Sequence, residues 1–576
     1  MQFRTRSRLS PNDSYQSLTE IKVYGIVFLN YLSLEMSESP TTARPITNSN
    51  SLRKTAVPVD AVLILGGFIL VCLVELLAIL VLNDFKLVYT MDDPYIHLAV
   101  AEEIARGHYG VNSAEFCAPC SSPIWPFLIA PLARTPLVEV MPLILNLGFG
   151  FLTCVVVLRG LRRAFPSPEG ERGLSLQVGR ATMGWAVLLG CNVVGLVFSG
   201  MEHNLQVLMA VMVVDGMIQF SKTGNVDRWF MVAVVCGPWV RYENMALTAV
   251  ACGLLFFKKQ KVAAKASGGA AVAGLAVFSG FLYFLGLPLI PSSITSKSHL
   301  LTDSHLVGGI LQAVAQSLMG NRGIILLLMT AVLVGLSLCS VAKRTRGAAL
   351  GLAAAGILHV CFGAYGWYHR YECYIYAASL YGIFLLIGDS AFRLSKQWTH
   401  GHSATVALFG LLISFPATAG LLTVPVASNN IYDQQFQMHR FVTGWWKKPL
   451  AVNDLGWVSF HNDQYILDLW GLASQEALDA RMKKSDPSWM VEEARKRGVE
   501  LAIVYENWVP ARAIGWIKVG EMHLSRERVT PANAEVAFFA TSSASVGEIE
   551  RKLQDFKKTL PPGVVLLTLS DFRQNQ

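Results

Sequence analysis

Long apolar stretches separated by short polar connections dominate the first three quarters of the chain. The first of them, residues 57–82, is long enough to cross a bilayer as a helix at about 1.5 Å per residue, although it contains Glu75. With the later stretches, it predicts a polytopic helical bundle of about eleven spans. The later stretches are residues 137–158, 182–198, 205–220, 229–240, 245–257, 268–287, 323–341, 348–365, 374–387 and 404–424.

The pattern changes near residue 426, where charged residues appear at ordinary density and prolines separate short periodic segments. This part predicts a soluble α/β domain over residues 426–576. Residues 56–425 form the predicted transmembrane domain, with a first outer loop at 83–136, and residues 1–55 a polar cytoplasmic tail. The expected strands are 450–452, 501–505, 514–519, 536–541 and 564–569, and the expected helices are 474–484, 490–497 and 546–559.

Composition agrees with a mainly α, multi-pass membrane protein. The 576 residues are 53% hydrophobic and only 15% charged, and the mean hydropathy is +0.42. The net charge of +8 therefore reads as a topology signal, and no nucleic-acid partner is expected. Basic loops such as 159–163, 222–228 and 258–265 assign one side to the cytoplasm. An odd number of spans then puts the C-terminal domain on the other side.

Two adjacent carboxylates, Asp92 and Asp93, stand where the first apolar stretch gives way to an amphipathic segment. Asp93 followed by Pro94 predicts a helix N-cap and first helical residue, with a stop at Gly107. His97 then lies one turn after Asp93. For an isolated Asp-Asp-Pro sequence, capping of a helix at a membrane surface is a sufficient explanation. A functional role for the two carboxylates therefore depends on the other charged residues of the chain.

Other charged residues fall in connections assigned to the same, non-cytoplasmic side. Singly, each is explained as the solvated end of a helix. Together, Arg241, Lys297 and Arg370 are suited to bind an anionic headgroup by charge-assisted hydrogen bonds. The candidates on this side are Glu202, Arg241, Glu243, Lys297, His369 and Arg370.

Several short motifs, taken in order, resemble those of integral-membrane glycosyltransferases of the GT-C fold. The resemblance is carried by Asp92-Asp93-Pro-Tyr-Ile-His97, Ser199-Gly-Met-Glu202, Arg241-Tyr-Glu243, Pro291-Ser-Ser-Ile-Thr-Ser-Lys297 and Ala451-Val-Asn-Asp454-Leu-Gly456. Polyprenyl-phosphate-sugar-dependent bacterial enzymes, arabinofuranosyltransferase-like and protein-mannosyltransferase-like, are the most similar groups. Tyr242 and Ser292 depart from the proline and asparagine usual at those places.

The resemblance implies transfer of a sugar from a polyprenyl phosphate to an acceptor hydroxyl, usually with inversion, outside a bacterial inner membrane. The acceptor would be a glycan, lipid or protein of the cell envelope. Asp92 or Asp93 would be the base, and we favour Asp92, with Asp93 as the cap. Arg241, Lys297, His369 and Arg370 would bind the donor phosphate, while His97, Glu202 and Glu243 would be acceptor-side or structural. No cofactor is certain, because some relatives use a divalent metal and others do not.

Two readings of another class stay open at this point. A transporter or flippase of a lipid-linked or anionic substrate would place functional charges at mid-membrane, where Glu75 and Asp215 are the residues to check. A non-catalytic glycan-binding scaffold ranks after it. Cys117 and Cys120 form an isolated CxxC, for which a local disulfide or two bystander thiols is a better explanation than a metal site.

Overall fold

The computed structural model describes residues 57–167, 173–296, 306–339, 343–394, 400–483 and 486–574. The predicted tail 1–55 lies outside these residues. Within the described ranges, six helices are long and apolar enough to cross a membrane: Val59–Leu82, Met141–Ala164, His203–Thr223, Lys261–Phe284, Asn321–Leu338 and the helical run Leu408–Trp446. Shorter apolar helices are Arg228–Val240, Tyr242–Phe257, Val307–Met319, Arg346–Phe362 and Cys373–Gly388. The multi-pass helical architecture is therefore confirmed, whereas a count of eleven spans stays a prediction.

Ordinary helix packing holds the bundle together. Leu174–Gly190 lies along His400–Leu422, and His203–Thr223 contacts Met141–Ala164, Arg228–Val240 and Cys373–Leu394. His203–Thr223 is central, since most of its side chains are buried by protein. Lys261–Phe284 instead exposes many apolar side chains, such as Val277 and Phe284. Apolar side chains on an outward face are what a lipid-facing helix requires.

A buried ion-pair cluster closes the end of the bundle where the chain enters its first span. The Asp60 carboxylate is fully buried and accepts hydrogen bonds from Arg162 Nη2 (2.6 Å) and Nε (3.1 Å). Arg180 Nε lies 2.8 Å from the same carboxylate. The start of the first span is thereby tied to Met141–Ala164 and Leu174–Gly190, at the end rich in arginine.

The first loop folds into short helices at the opposite end. They are Asp93–Ala105, Trp125–Ile129 and the 3₁₀ turn Ala130–Leu132. Asp93–Ala105 ends as predicted, because Gly107 adopts a φ of 85°, a left-handed conformation that glycine takes without a Cβ penalty. Short helices Val193–Val197, Tyr242–Asn244 and Ser292–Thr295 complete this end.

The C-terminal domain is an α/β unit with one six-stranded sheet. Its strands are β1 (Leu450–Val452), β2 (Ile466–Asp468), β3 (Leu501–Val504), β4 (Ile517–His523), β5 (Glu535–Ala540) and β6 (Val565–Thr568), in the order β2-β1-β3-β5-β4-β6. Strands β2, β1 and β3 are parallel, and the other pairings are antiparallel. Its helices are Gly456–Ser459, Gln475–Lys483, Trp489–Lys496, Val546–Lys557 and Leu569–Gln574.

The predicted α/β character of this domain is confirmed. All five expected strands are present, although β4 begins later and continues further than the expected 514–519. Strand β2, three residues long, was not expected. The helical run before the domain extends to Trp446, so the first strand follows it after three residues.

Candidate active site

Asp92 lies at the contact between the first loop and the C-terminal domain. Its side chain is buried, with 7% of the residue exposed. One carboxylate oxygen accepts a hydrogen bond from the backbone N–H of Gly456 (2.6 Å) and the other from that of Trp457 (2.8 Å). A Cβ on Gly456 would lie 2.0 Å from the Asp92 carbonyl oxygen, so only glycine permits this approach.

The second partner of Asp92 is another carboxyl group. Asp92 and Asp454 are hydrogen-bonded to each other, and Asp454 also accepts from Gln435 Nε2 (2.9 Å) and the Tyr505 hydroxyl (3.0 Å). Burial, followed by the neighbouring Asp454 charge, raises the pKa of Asp92 well above its usual value. Burial likewise raises the pKa of Asp454. Two buried carboxyl groups in contact retain a proton between them, because both cannot ionise at low cost.

Asp93 has a different environment. Its carboxylate accepts a hydrogen bond of 2.7 Å from Arg370 Nη1, and its side chain keeps 19% of its surface exposed. Arg370 is buried and also donates from Nη2 to the Tyr371 hydroxyl (3.1 Å). The expected N-cap at Asp93 was wrong by one residue, since the helix starts at Asp93 and Asp92 is the flanking residue, without a capping side-chain bond.

Arg241 is the centre of a second group of buried charges. It donates to Glu202 Oε1 from Nη1 (2.7 Å) and to both oxygens of Glu243 from Nη2 (2.8 Å) and Nε (3.1 Å). The Ser121 hydroxyl donates to Glu202 (3.0 Å), and His97 Nε2 lies 3.8 Å from its other oxygen. Burial opposes ionisation of Glu202, but Arg241 and then His97 outweigh it and hold its pKa at about 2.

Tyr371 lies between the two groups. It accepts from Arg370 and is close enough to Arg241 to interact with it electrostatically. Predicted residues from four connections therefore meet in one polar cluster: Asp93, His97, Glu202, Arg241, Glu243 and Arg370. Ser121 and Tyr371 were not among the predicted site residues, because uncharged polar residues are common in loops.

His369 belongs to a strained turn that leads into this cluster. Gly366, Trp367, Tyr368 and His369 all have positive φ, at 99°, 42°, 67° and 60°. Consecutive left-handed residues are costly for side chains with a Cβ and are found where surrounding contacts enforce them. Glu372 supplies such contacts, since it accepts from the Gly366 N–H (2.9 Å) and lies 3.4 Å from His369 Nδ1.

Arg322 is a cation that sequence reasoning missed. It begins the helix Asn321–Leu338, where its Nη1 lies 3.3 Å from Glu372 and its Nη2 3.3 Å from His369 Nε2. An arginine at the end of an apolar stretch looks like an ordinary flanking charge, so the sequence contained no signal for it.

The loop that carries Lys297 reaches the same region, although Lys297 itself lies outside the described residues. The Ser292 hydroxyl donates to the carbonyl oxygens of Ala118 (2.8 Å) and Leu472 (2.6 Å), and Ser293 donates to that of Cys120 (2.8 Å). This serine, which stands where the resembled motif has asparagine, therefore joins the first loop to the C-terminal domain. The role predicted for Lys297 stays a prediction.

Carboxylates in the cluster already contact arginine side chains, which compete with a metal ion for their oxygens. Within the described ranges, one group of three side chains has metal-ligand spacing: Glu521, His523 and Glu535, on β4 and β5. These residues belong to the sheet and not to the cluster around Asp93. The question of a divalent metal, left open by the sequence, stays open.

Of the remaining candidates, Cys117, Cys120 and Asp215 have structural explanations. Glu75 is buried in the first span, and its Oε2 has no hydrogen-bond partner among the described residues. Cys117 and Cys120 are buried and no disulfide joins them, which agrees with the bystander alternative. Asp215 accepts two hydrogen bonds of 2.6 Å from Arg163 Nη2 and one of 3.3 Å from the Tyr381 hydroxyl. The Asp215 charge is thus compensated by Arg163, whereas a transporter would need this carboxylate to be available to its substrate.

An apolar cavity of about 280 Å³ opens beside the site. It lies between the helices Val59–Leu82 and Met141–Ala164, and Phe198 is part of its lining. The carbonyl oxygen of Phe198 accepts hydrogen bonds from the backbone N–H (2.9 Å) and hydroxyl (3.3 Å) of Thr90. The cavity wall is therefore bonded to the segment that carries Asp92 and Asp93.

Residues 429–539 match a family described as a domain of unknown function, DUF8728. No curated protein matches the chain. Among solved structures, the chain is similar to ArnT from Cupriavidus metallidurans bound to undecaprenyl phosphate, with 12% identity, coverage of 83% of this chain and 98% of that one, and a TM-score of 0.45.

The chain is also similar to the oligosaccharyltransferase of Archaeoglobus fulgidus in its apo form, with 10% identity, coverage of 87% and 76%, and a TM-score of 0.41. The same archaeal enzyme, AglB, in complex with an inhibitory peptide and a dolichol-phosphate has 10% identity, coverage of 87% and 75%, and a TM-score of 0.41. These are remote likenesses of architecture, and the function has to be argued from the cluster itself.

Proposed function

We propose that this protein is a membrane glycosyltransferase that moves a sugar from a polyprenyl-phosphate donor to an acceptor hydroxyl. The observation that carries the proposal is the partly exposed Asp93 carboxylate, held by Arg370 in a polar cluster at one end of an apolar bundle. A carboxylate that accepts a proton, next to cations that receive a phosphate, is the minimum equipment for this reaction.

Asp93 is the better candidate for the base, the reverse of the assignment favoured from the sequence. Both oxygens of Asp92 accept backbone N–H groups, and its pair with Asp454 retains a proton. Asp93 keeps a partly solvent-accessible side chain, which the Arg370 guanidinium contacts. Asp92 would then anchor the segment, and Asp93 would meet the acceptor.

In the proposed reaction, the acceptor oxygen attacks the anomeric carbon while its proton moves to Asp93. The bond from that carbon to the phosphate oxygen breaks, and the polyprenyl phosphate leaves with the bonding electrons. Protonation of Asp93 removes the negative charge that faces Arg370. The guanidinium is then free to stabilise the charge that grows on the leaving phosphate, at the moment when that charge appears.

The other predicted phosphate ligands would contribute less directly. Arg241 is already held by Glu202 and Glu243, so its first effect is to keep those carboxylates ionised and in place. His369, with Arg322 beside it, and Lys297 are the remaining candidates to contact a phosphate arriving from the membrane. The apolar cavity next to Thr90 suits the first part of a polyprenyl chain.

Sidedness follows from the distribution of basic residues. Arg162, Arg163 and Arg180 lie at the end opposite to Asp93, and short basic loops remain cytoplasmic. We therefore propose that the cluster and the C-terminal domain face the outside of a bacterial inner membrane, where cell-envelope glycans or glycoproteins are completed.

The test is transfer by purified full-length protein from lipid-linked sugars identified by mass spectrometry in a deletion strain. Asp93→Asn is expected to lower kcat by at least about 100-fold, since general-base contributions are typically of that size or larger. Asp463→Asn is the matched control, because the Asp463 side chain is 85% exposed and lies 3.6 Å from Arg106 Nη2. Full activity of Asp93→Asn, with normal insertion, would refute the assignment.

A further inference from the structure

Two tryptophans lie at the edge of the C-terminal sheet that faces the membrane domain. Strands β2, β1 and β3 are parallel, so their carboxyl ends meet at one edge. Asp454 follows β1, Trp470 follows β2 and Trp508 follows β3 at that edge. The carboxyl edge of parallel strands is where ligands bind in open α/β sheets.

Trp470 and Trp508 contact each other and remain accessible. Their ring centroids are 4.9 Å apart with an interplanar angle of 35°, and 36% of Trp508 is exposed. Trp470 is half-buried. Tryptophan has a large apolar surface that proteins usually cover. Two accessible tryptophan rings at a ligand-binding edge are therefore a candidate binding surface.

Arg481 adds hydrogen-bond donors to this surface. Its guanidinium carbon lies 4.2 Å from the centroid of the Trp470 ring, and it comes from the helix Gln475–Lys483. The Nε atom is buried without a hydrogen-bond partner, and within the described part of the chain the guanidinium has no ion pair. A buried donor without an acceptor is unfavourable, and the same guanidinium carries further N–H groups that are suited to a ligand oxygen.

A short chain of contacts joins these side chains to the polar cluster. The Trp508 ring lies edge-on to that of Tyr505 at 5.7 Å, and the Tyr505 hydroxyl donates to Asp454, the partner of Asp92. On the other side, Leu472 accepts the hydrogen bond from Ser292, in the loop that leads to Lys297. The tryptophan pair is therefore joined through Tyr505 and Asp454 to Asp92, the neighbour of Asp93 in the chain.

We propose that Trp470, Trp508 and Arg481, here called the tryptophan platform, bind a saccharide ring of the acceptor. A pyranose or furanose ring has an apolar C–H face and a rim of hydroxyl oxygens. The open tryptophan surface fits that face, and the unused Arg481 donors fit the rim. Naming this saccharide the acceptor rests on the proposed function, whereas binding itself does not depend on transfer.

Binding is measured with the full-length protein in detergent by quenching of tryptophan fluorescence and by calorimetry. The probes are galactan, mannan and arabinan tri- to hexasaccharides, each also with a uronic-acid terminus. At least one series is expected to bind, and Trp508→Ala to weaken it by about tenfold, the size of one aromatic stacking contact. Trp508→Phe should recover most of the affinity, and Arg481→Met should weaken the uronic series most.

Trp229→Ala is the matched control, since Trp229 is also exposed but belongs to the helix Arg228–Val240 in the bundle. It should leave saccharide binding unchanged. Asp93→Asn should also keep binding while it loses transfer, and Trp508→Ala should raise KM for the acceptor at nearly unchanged kcat. Binding without transfer in the unmodified protein would refute the proposed function and retain the platform. Absence of binding to every series, or equal losses for Trp229→Ala and Trp508→Ala, would overturn the platform.

Discussion

Asp92 and Asp93 show how far neighbouring residues of one type can differ in chemistry. Asp92 points to the C-terminal domain, where two backbone N–H groups and Asp454 occupy its oxygens. Asp93 points to Arg370 and retains solvent contact. Successive side chains at the start of a helix project about 100° apart. This angle is enough to separate the proposed anchoring role of Asp92 from the proposed general-base role of Asp93.

The Asp92–Asp454 pair predicts a pH-dependent stability. Burial raises the pKa of both carboxyl groups above the unfolded value of about 4, so their contribution is full at low pH and is lost as pH rises through the raised pKa. Asp454→Asn removes one charge and keeps a hydrogen-bonding group next to Asp92. The variant should therefore lose less stability than the unmodified protein as the pH rises above the ordinary carboxyl pKa of about 4.

Thermal unfolding in detergent at several pH values measures this difference. Asp463→Asn serves as the control, because Asp463 is an exposed carboxylate. Its pH dependence of stability should follow that of the unmodified protein. An unchanged pH slope for Asp454→Asn would mean that the two carboxyl groups do not share a proton.

At the scale of elements, the turn Gly366–His369 is the segment under most local strain. It precedes Arg370 directly, and its left-handed residues determine where that side chain points. Hydrogen bonds hold the turn: Glu372 accepts from Gly366, and the Tyr368 hydroxyl donates to the Gly420 carbonyl oxygen (3.3 Å). A strained element kept next to a proposed catalytic pair indicates that the position of Arg370 has to be maintained.

Substitution at Trp367 tests this strain. Trp367→Gly should be more stable than Trp367→Ala by about 1 kcal/mol, since a Cβ is penalised at positive φ. The comparison uses thermal unfolding of both variants in the same detergent. At the exposed helical Trp229, alanine should instead be the more stable replacement. If alanine were also better at position 367, the turn would not be left-handed.

For the whole molecule, the C-terminal domain acts as a structural part of the site and not only as an attached cap. The first loop touches it at several places: Asp92 at Gly456 and Trp457, Asn112 at both backbone groups of Ile466, and Tyr95 stacked on Trp457 at 3.9 Å. The segment with Asp92 and Asp93 is thereby held from the membrane side by Thr90 and from the other side by the domain.

Gly456→Ala tests what happens when the contact between Asp92 and Gly456 is lost. The added Cβ would overlap the Asp92 backbone, so the loop should separate from the domain while the sheet itself stays folded. Hydrogen–deuterium exchange of residues 89–98 should accelerate. Transfer activity should fall, as it should in Asp93→Asn. Gly547→Ala is the control, because a Cβ there meets nothing within 4 Å. Unchanged exchange in Gly456→Ala would contradict a docking role for this contact.

The sequence by itself determined the class of molecule and most of its elements. Long apolar stretches, a change of pattern near residue 426 and strands such as Leu501–Val504 are properties of local composition and periodicity, which sequence patterns record well. It also named residues that packing brings together, since Asp93, Glu202, Arg241 and Arg370 meet in one cluster, while their roles stay predictions. Their charges marked them in connections that were otherwise short and apolar.

Only the tertiary structure decided which residue faces which. The division of work between Asp92 and Asp93 depends on Gly456 and Asp454, more than 350 positions away in the chain. Arg322 and the tryptophan platform likewise acquire meaning from neighbours that packing brings together. Burial, proton sharing and ion pairing are properties of contacts between distant segments, and a local pattern of residue types does not encode them.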